Sequence, residues 1–244
     1  MSEENGKLQL PRWLDVIAVF DTETTGVDVT KAKIVTAALH LMNQNGEVLP
    51  GGKDWLINPG VPIPPAAIAV HKITDEMVQR DGMDAATGVQ EIVTAIQELF
   101  ERGIPVVAYN AAYDFSLLHH QALSFGITPV KFGSVIDPLV IDKTVDKWRK
   151  GSRKLENVAQ HYGVSLANAH AAKDDAIAAG LVGLSVLRFF KAQAKPVVDF
   201  PASAEELHQL QAKWADEIET SFAKWRQQDM PDYVPSFGWP IKQS

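Results

Sequence analysis

The first hydrophobic run, residues 14–20 (LDVIAVF), is short, rich in Val and Ile, and ended by Asp21. Such a run predicts a buried strand. A second strand is expected over 33–42, and the turn dipeptide Asn45-Gly46 joins it to a third through 55–57, which makes the opening a meander. The proline-rich stretch 59–65 interrupts the pattern. Helical spacing returns over 88–102, where Val89, Ile92, Val93, Ile96, Leu99 and Phe100 share one face. A strand is expected at 105–109, then helices at 111–125, 139–148, 154–162 and 172–194, with a short strand at 134–136. Five strands, the later ones alternating with helices, predict an α/β fold.

Residues 196–201 read as a linker, after which Ser203 can cap a helix running to about residue 228. Leu207, Leu210, Trp214, Ile218, Phe222 and Trp225 form one stripe on it, and 230–244, with three prolines and Trp239, reads as an irregular tail. The stripe must be covered, either by the core or by a docked partner such as a polymerase or a second copy. Seven acids against four bases over 203–244 make this extension a poor nucleic-acid arm. The expected division is a domain over 1–195 and an extension over 196–244, since 244 residues leave little room for two full domains.

Composition narrows the chemistry. Hydrophobic residues are 46% and charged residues 22%, enough for the chain to bury its own core. No apolar run reaches the roughly 18 residues of a membrane span, and the opening residues lack a signal-peptide pattern, so no membrane and a cytoplasmic location are expected. The absence of cysteine excludes disulfides, thiolate zinc sites and cysteine nucleophiles. A formal charge of −7 argues against a broad DNA-coating surface. Any metal must sit on oxygen or imidazole.

Those ligands gather at the ends of the predicted elements. Asp21 and Glu23 are two apart in an extended segment and face one spot, which implies bound cations or a solvated turn. Asp114 falls in the first turn of a helix, where the helix dipole alone would favour it. His170, Asp174 and Asp175 lie where a small-residue loop enters a long helix, and adjacent helical positions point about 100° apart, so the two aspartates cannot serve one site equally.

Taken in order, DTETTG, YNAAYD and H-x4-D resemble the three motifs of the DEDDh family of 3′-to-5′ exonucleases, in particular its branch around the proofreading epsilon subunit of bacterial DNA polymerase III. The resemblance covers about residues 14–190 and includes the segment Val70-His71-Lys72-Ile73-Thr74. It implies a ribonuclease H-like fold, an antiparallel meander followed by parallel strands in one mixed five-stranded sheet flanked by helices. It further implies two divalent ions, Mg or Mn. Asp21, Glu23 and Asp175 would hold one ion, and Asp21 would reach a second near Asp114. His170 would be the general base, the product a nucleoside 5′-monophosphate, and the partner a nucleic acid with a free, single-stranded or frayed 3′ end.

Around the terminal nucleotide the family suggests Thr25, Gly26, His71 and Asn110. Gly26 could instead supply a turn of positive φ, and Asn110 could cap the following helix. Tyr109 and Tyr113 stand where relatives often carry His and Phe. Lys143, Lys147, Arg149, Lys150, Arg153 and Lys154 form the basic cluster of the chain and could grip upstream phosphates, or simply solvate a helix end. DNA and RNA substrates, and an active enzyme or an idle polymerase-bound module, stay open at this level; all five catalytic positions being filled favours the enzyme.

Overall fold

The computed structural model describes residues 8–165 and 171–242. β1 (Val16–Thr24), β2 (Ile34–Asn43) and β3 (Val48–Asn58) form the antiparallel meander, turned at Gly46 with φ 90°. There follow α1 (Pro65–His71), α2 (Asp75–Asp81), β4 (Met83–Asp84), α3 (Ala85–Glu101), β5 (Val106–Val107), α4 (Ala111–Ser124) and β6 (Val135–Ile136). The chain ends with α5 (Pro138–Val145), α6 (Leu155–His161), α7 (Ala172–Ala192) and α8 (Ala204–Arg226). The sheet order is β4-β3-β2-β1-β5-β6, with β5 parallel to β1 and β6 parallel to β5.

The sheet therefore has six strands, not the five expected. β4 pairs in parallel with the end of β3, and two residues are too short to show an alternation in sequence. Nor did the pattern predict α1 and α2, which lie in and beyond the proline-rich stretch. Pro65 occupies a first-turn position where its fixed φ and missing N–H are harmless. Thr74 caps α2, its hydroxyl accepting from the Met77 N–H at 3.4 Å, with Asp75 and Glu76 in the first turn.

β1 is buried on both faces. Ile17 and Val19 join Met42, Val182 and Leu187 on the α7 side, while Ala18 and Phe20 join Ile92, Ile96, Phe115 and Leu118 on the α3 and α4 side. Burying each large side chain contributes roughly 1.5–3 kcal/mol. The approach of α7 to the sheet depends on Gly180, where a Cβ would lie 2.4 Å from Val19 Cγ1 and 3.0 Å from Met42 Sδ.

α8 closes the β6 edge. Gln211, fully buried, donates Nε2 to the Val135 carbonyl at 3.0 Å and accepts the Asp137 N–H at 2.6 Å, while His208 Nδ1 accepts the Val135 N–H at 3.1 Å. Side chains thus replace the strand that β6 lacks. Leu207 and Trp214 of the predicted stripe are buried on the core, Trp214 edge-on to Phe190; Phe222 and Trp225 at the far end stay exposed. The tail returns across the domain, where the Trp239 indole donates to Asp137 at 3.3 Å and the Lys242 N–H to Ser116 Oγ at 2.9 Å. Among the described residues no helix is long and apolar enough to cross a membrane.

Gly180→Val is expected to destabilise the protein by about 1–3 kcal/mol, because the stiff Val19 side chain and α7 cannot both stay in place. The urea midpoint should fall accordingly; an unchanged midpoint would show that the close approach of α7 is not needed.

Candidate active site

The period of two along β1 decides which helix each polar residue meets. Asp21 and Glu23 continue the Ile17 and Val19 face and meet the first turn of α7; Thr22 continues the Phe20 face and meets α4. One carboxylate oxygen each from Asp21, Glu23 and Asp175 lie within 4.8 Å of one another. Asp174, one position away, is outside that group. On the opposite face Thr22 Oγ1 donates to Asp114 Oδ1 at 2.6 Å, which orients a carboxylate that is almost fully buried. Asp114 is not one of the three converging ligands, but it lies near enough to Asp21 to act on its charge.

Burial raises the pKa of Asp21 well above the ordinary carboxylate range, and Asp114, Glu23 and Asp175 add repulsion. Burial, then Asp175, pushes Glu23 to about 7. Burial also pushes Asp114 to about 7, against the Thr22 hydrogen bond. Bound cations would favour the charged form of all three. The donors are all oxygen and are spaced so that one ion at 2.0–2.6 Å, roughly the range for Mg and Ca, can reach three of them. An all-oxygen set of this kind fits a hard divalent ion.

Of the residues expected at the terminal nucleotide, Thr25 and Gly26 directly follow β1, the Thr24 backbone acts on His71, and Asn110 stands at the start of α4. Thr25 is tied to the neighbouring strand, its hydroxyl accepting the Lys33 N–H at 2.9 Å. Gly26 does not have positive φ, so the simple turn explanation fails; a Cβ there would meet nothing within 4 Å. Its carbonyl accepts instead from Tyr113 OH and, at 2.9 Å, from Thr24 Oγ1. Tyr113 OH also lies 2.6 Å from Thr24 Oγ1, so the tyrosine in the second motif fastens this loop. His71 is buried, its Nδ1 accepting the Ile73 N–H at 3.1 Å and its Nε2 left without a partner among the described residues. Burial lowers its pKa, partly offset by the Thr24 backbone, which favours the neutral ring; with Nδ1 accepting from Ile73, that neutral form carries its proton on Nε2.

Asn110 stands at the N-cap of α4 but its side chain makes no cap bond, contrary to the capping alternative. Its backbone is left-handed, φ 62° and ψ 45°, a conformation Asn tolerates better than most residues. The cap is supplied by Asp137, which accepts the N–H groups of Asn110 at 3.0 Å and Ala111 at 2.9 Å, and that of Leu139 at 3.0 Å at the start of α5. Asp137 thus fixes the turn from which Asp114 projects. The sequence reading missed it, although an Asp followed by Pro is an ordinary helix-start signal.

The basic cluster is partly structural. Arg149 donates to Asp142 Oδ2 at 2.8 Å and Arg153 to the same oxygen at 2.5 Å, and Tyr162 OH donates to Oδ1 at 2.9 Å; Asp142 is fully buried. Neither arginine is therefore available to a phosphate, whereas Lys147 and Lys150 are exposed. His170 lies outside the described residues.

Residues 18–182 match the family model described as Exonuclease. The chain is 32% identical over 183 residues to the DNA polymerase III subunit epsilon-like protein of Rhodobacter capsulatus, a match covering 72% of this chain and 24% of the relative. It is 28% identical to the DNA polymerase III subunit epsilon of Treponema pallidum, covering 64% of this chain and 69% of that protein. An exonuclease of Escherichia phage 186 is 39% identical over 118 residues, 48% of this chain and 54% of its own length. The chain thus spans less than two thirds of the phage and Rhodobacter relatives. The fold is similar to the nuclease domain of 3′hExo, a DEDDh family member bound to rAMP, with TM-score 0.61, 17% identity and coverage of 74% of this chain and 95% of that one. It is also similar to E. coli Exonuclease I in complex with a dA16 oligonucleotide, with TM-score 0.59, 16% identity and coverage of 74% and 41%. The chain belongs to the exonuclease family and has the ribonuclease H-like fold of its DEDDh members.

Proposed function

We propose that this chain hydrolyses phosphodiester bonds from the 3′ end of a nucleic acid, DNA ahead of RNA, and releases nucleoside 5′-monophosphates. The observation that carries the reading is the convergence of Asp21, Glu23 and Asp175 from two separate elements. The preference for DNA is supported by relatives named as polymerase III epsilon or epsilon-like. The solved structure bound to rAMP keeps RNA trimming as the second reading.

Asp21, Glu23 and Asp175 would hold one divalent ion, Mg or Mn, and Asp21 with Asp114 would support a second. Bound there, such ions neutralise charge on the scissile phosphate and acidify the attacking water. His170, just ahead of α7, takes the proton of that water; an imidazole with an ordinary pKa of about 6.5 is matched to the task. The Thr25-Gly26 backbone and His71 Nε2–H hold the terminal nucleotide, with Asn110 at its edge. A polymerase or a second copy docking on α8 would meet Phe222 and Trp225, because Leu207 and Trp214 are used by the core.

Purified protein with Mg should shorten end-labelled single-stranded or mismatched DNA one nucleotide at a time. Asp21→Asn and His170→Ala should each lower kcat on the order of 10³-fold while circular dichroism stays unchanged. Near wild-type turnover in either variant, or indifference to a chelator, would refute the mechanism.

The raised carboxylates also predict a pH effect. In chelator the folded state binds more protons than the unfolded chain between the ordinary Glu value, 4.5, and about 7, so stability contributed by Glu23 is lost as pH rises through that window. Thermal unfolding should show Tm falling from pH 4.5 to 7 less steeply in Glu23→Gln than in wild type, and Mg should restore the loss. Identical slopes in the two proteins would contradict the assigned burial and repulsion.

A further inference from the structure

Beside Asn110 a groove of about 110 Å³ opens between α5, α8 and the tail. That is room for a phosphate group or roughly three to four waters. Two lysines line it, Lys143 from α5 and Lys242 from the tail. Neither ammonium has a hydrogen bond or an ion pair among the described residues. The two repel each other, and Lys143 is partly withdrawn from water.

The neighbouring carboxylates make hydrogen bonds elsewhere to differing degrees. Asp137 accepts from three backbone N–H groups and the Trp239 indole. Glu219 Oε1 accepts from Tyr233 OH and the Ser236 N–H, each at 3.0 Å. Asp142, behind Lys143, is taken by Arg149, Arg153 and Tyr162. Asp216, on the α8 wall, has no side-chain partner among the described residues, nor has Oε2 of Glu219, yet neither carboxylate forms an ion pair with either lysine. Desolvation disfavours the charged form of Lys143, Arg153 and Lys242 add repulsion, and Asp137 and Asp142 offset part of it; an anion seated between Lys143 and Lys242 would offset more. The mouth of the groove shares Asn110 with the candidate nucleotide pocket, and Asn110 lies one helical turn from Asp114.

We propose that this groove is a subsite for a backbone phosphate of the substrate strand, upstream of the scissile bond and held by Lys143 and Lys242. The assignment rests on the exonuclease reading and deepens it. α8 and the tail lie beyond residues 18–182, so two of the groove's walls are additions of this chain to the matched family domain. They give the extension a part in holding substrate as well as in closing the β6 edge.

The test compares two substrates in wild type and in the Lys143→Gln, Lys242→Gln double variant. A single-stranded oligodeoxynucleotide has upstream phosphates; the p-nitrophenyl ester of thymidine 5′-monophosphate has none. For the oligonucleotide KM should rise about tenfold, and the slope of log affinity against log salt should flatten by about 0.7, the value for one phosphate contact on a single strand. For the small ester kcat/KM should stay within about twofold of wild type. An unchanged KM and salt slope for the oligonucleotide, or an equal loss on both substrates, would overturn the subsite. Should wild type cleave neither substrate, the exonuclease reading fails, yet fluorescence anisotropy of the labelled oligonucleotide still tests the groove: about tenfold weaker binding by the variant supports it and equal binding refutes it. If the double variant does not fold, Lys242→Gln alone, at an exposed position, should weaken binding about threefold, and no change would again refute it.

Discussion

Mutual repulsion among Asp21, Glu23, Asp114 and Asp175 is the constraint on which the arrangement of the rest depends. Carboxylates drawn from a strand end and two helices do not gather spontaneously; burial pushes Asp114 to about 7, burial and the charge of Asp175 push Glu23 to about 7, and burial with the charges of the other three raises Asp21. What holds them is the packing behind them. β1 is buried on both faces by two separate clusters, so its register cannot slip without turning apolar residues outward. α7 approaches that strand through Gly180, which places Asp175 over the Asp21 and Glu23 face, and Thr22 on the reverse face reaches Asp114. The hard cations that the oxygen donors suit would relieve this unfavourable charge density.

A second layer of support comes from a part of the chain outside the matched family domain. Gln211 of α8 bonds to Val135 and Asp137, Trp239 of the tail bonds to Asp137, and Asp137 caps the helix that carries Asn110 and Asp114. The side chains of the extension are therefore connected to the helix that carries Asp114 through one buried residue, Asp137, with Gln211 at its backbone N–H and Trp239 at its carboxylate. A network of this kind is strong when every member is satisfied, and Asp137 accepts four donors. The groove lined by Lys143 and Lys242 opens on the same side of that network.

Much of this was legible along the chain because it rests on local periodicity. The β-branched run ending at Asp21 marks β1, the period of two pairs Asp21 with Glu23, and the loop-to-helix position of Asp175 puts it at the first turn of α7. The groups that were not legible depend on distant partners. Nothing near Gln211 announces that its amide will replace a strand beside Val135, 76 residues away. Arg149 and Arg153 look like free cations until Asp142 is seen buried beneath them. The two-residue β4 has no period to detect, and the hydrogen bonds that the Gly26 carbonyl accepts from Thr24 and Tyr113 depend on a partner 87 residues away. Asp137 is the exception, a local cap signal that could have been read.

The account's central claim is that the carboxylates are gathered to bind metal at one place. A crystal structure of the protein grown with Mn and thymidine 5′-monophosphate, with anomalous scattering recorded at the manganese edge, tests this most directly. The account predicts an anomalous peak coordinated by Asp21, Glu23 and Asp175, with a second close to Asp21 on the Asp114 side. Manganese bound elsewhere, with these four carboxylates left unliganded, would contradict it.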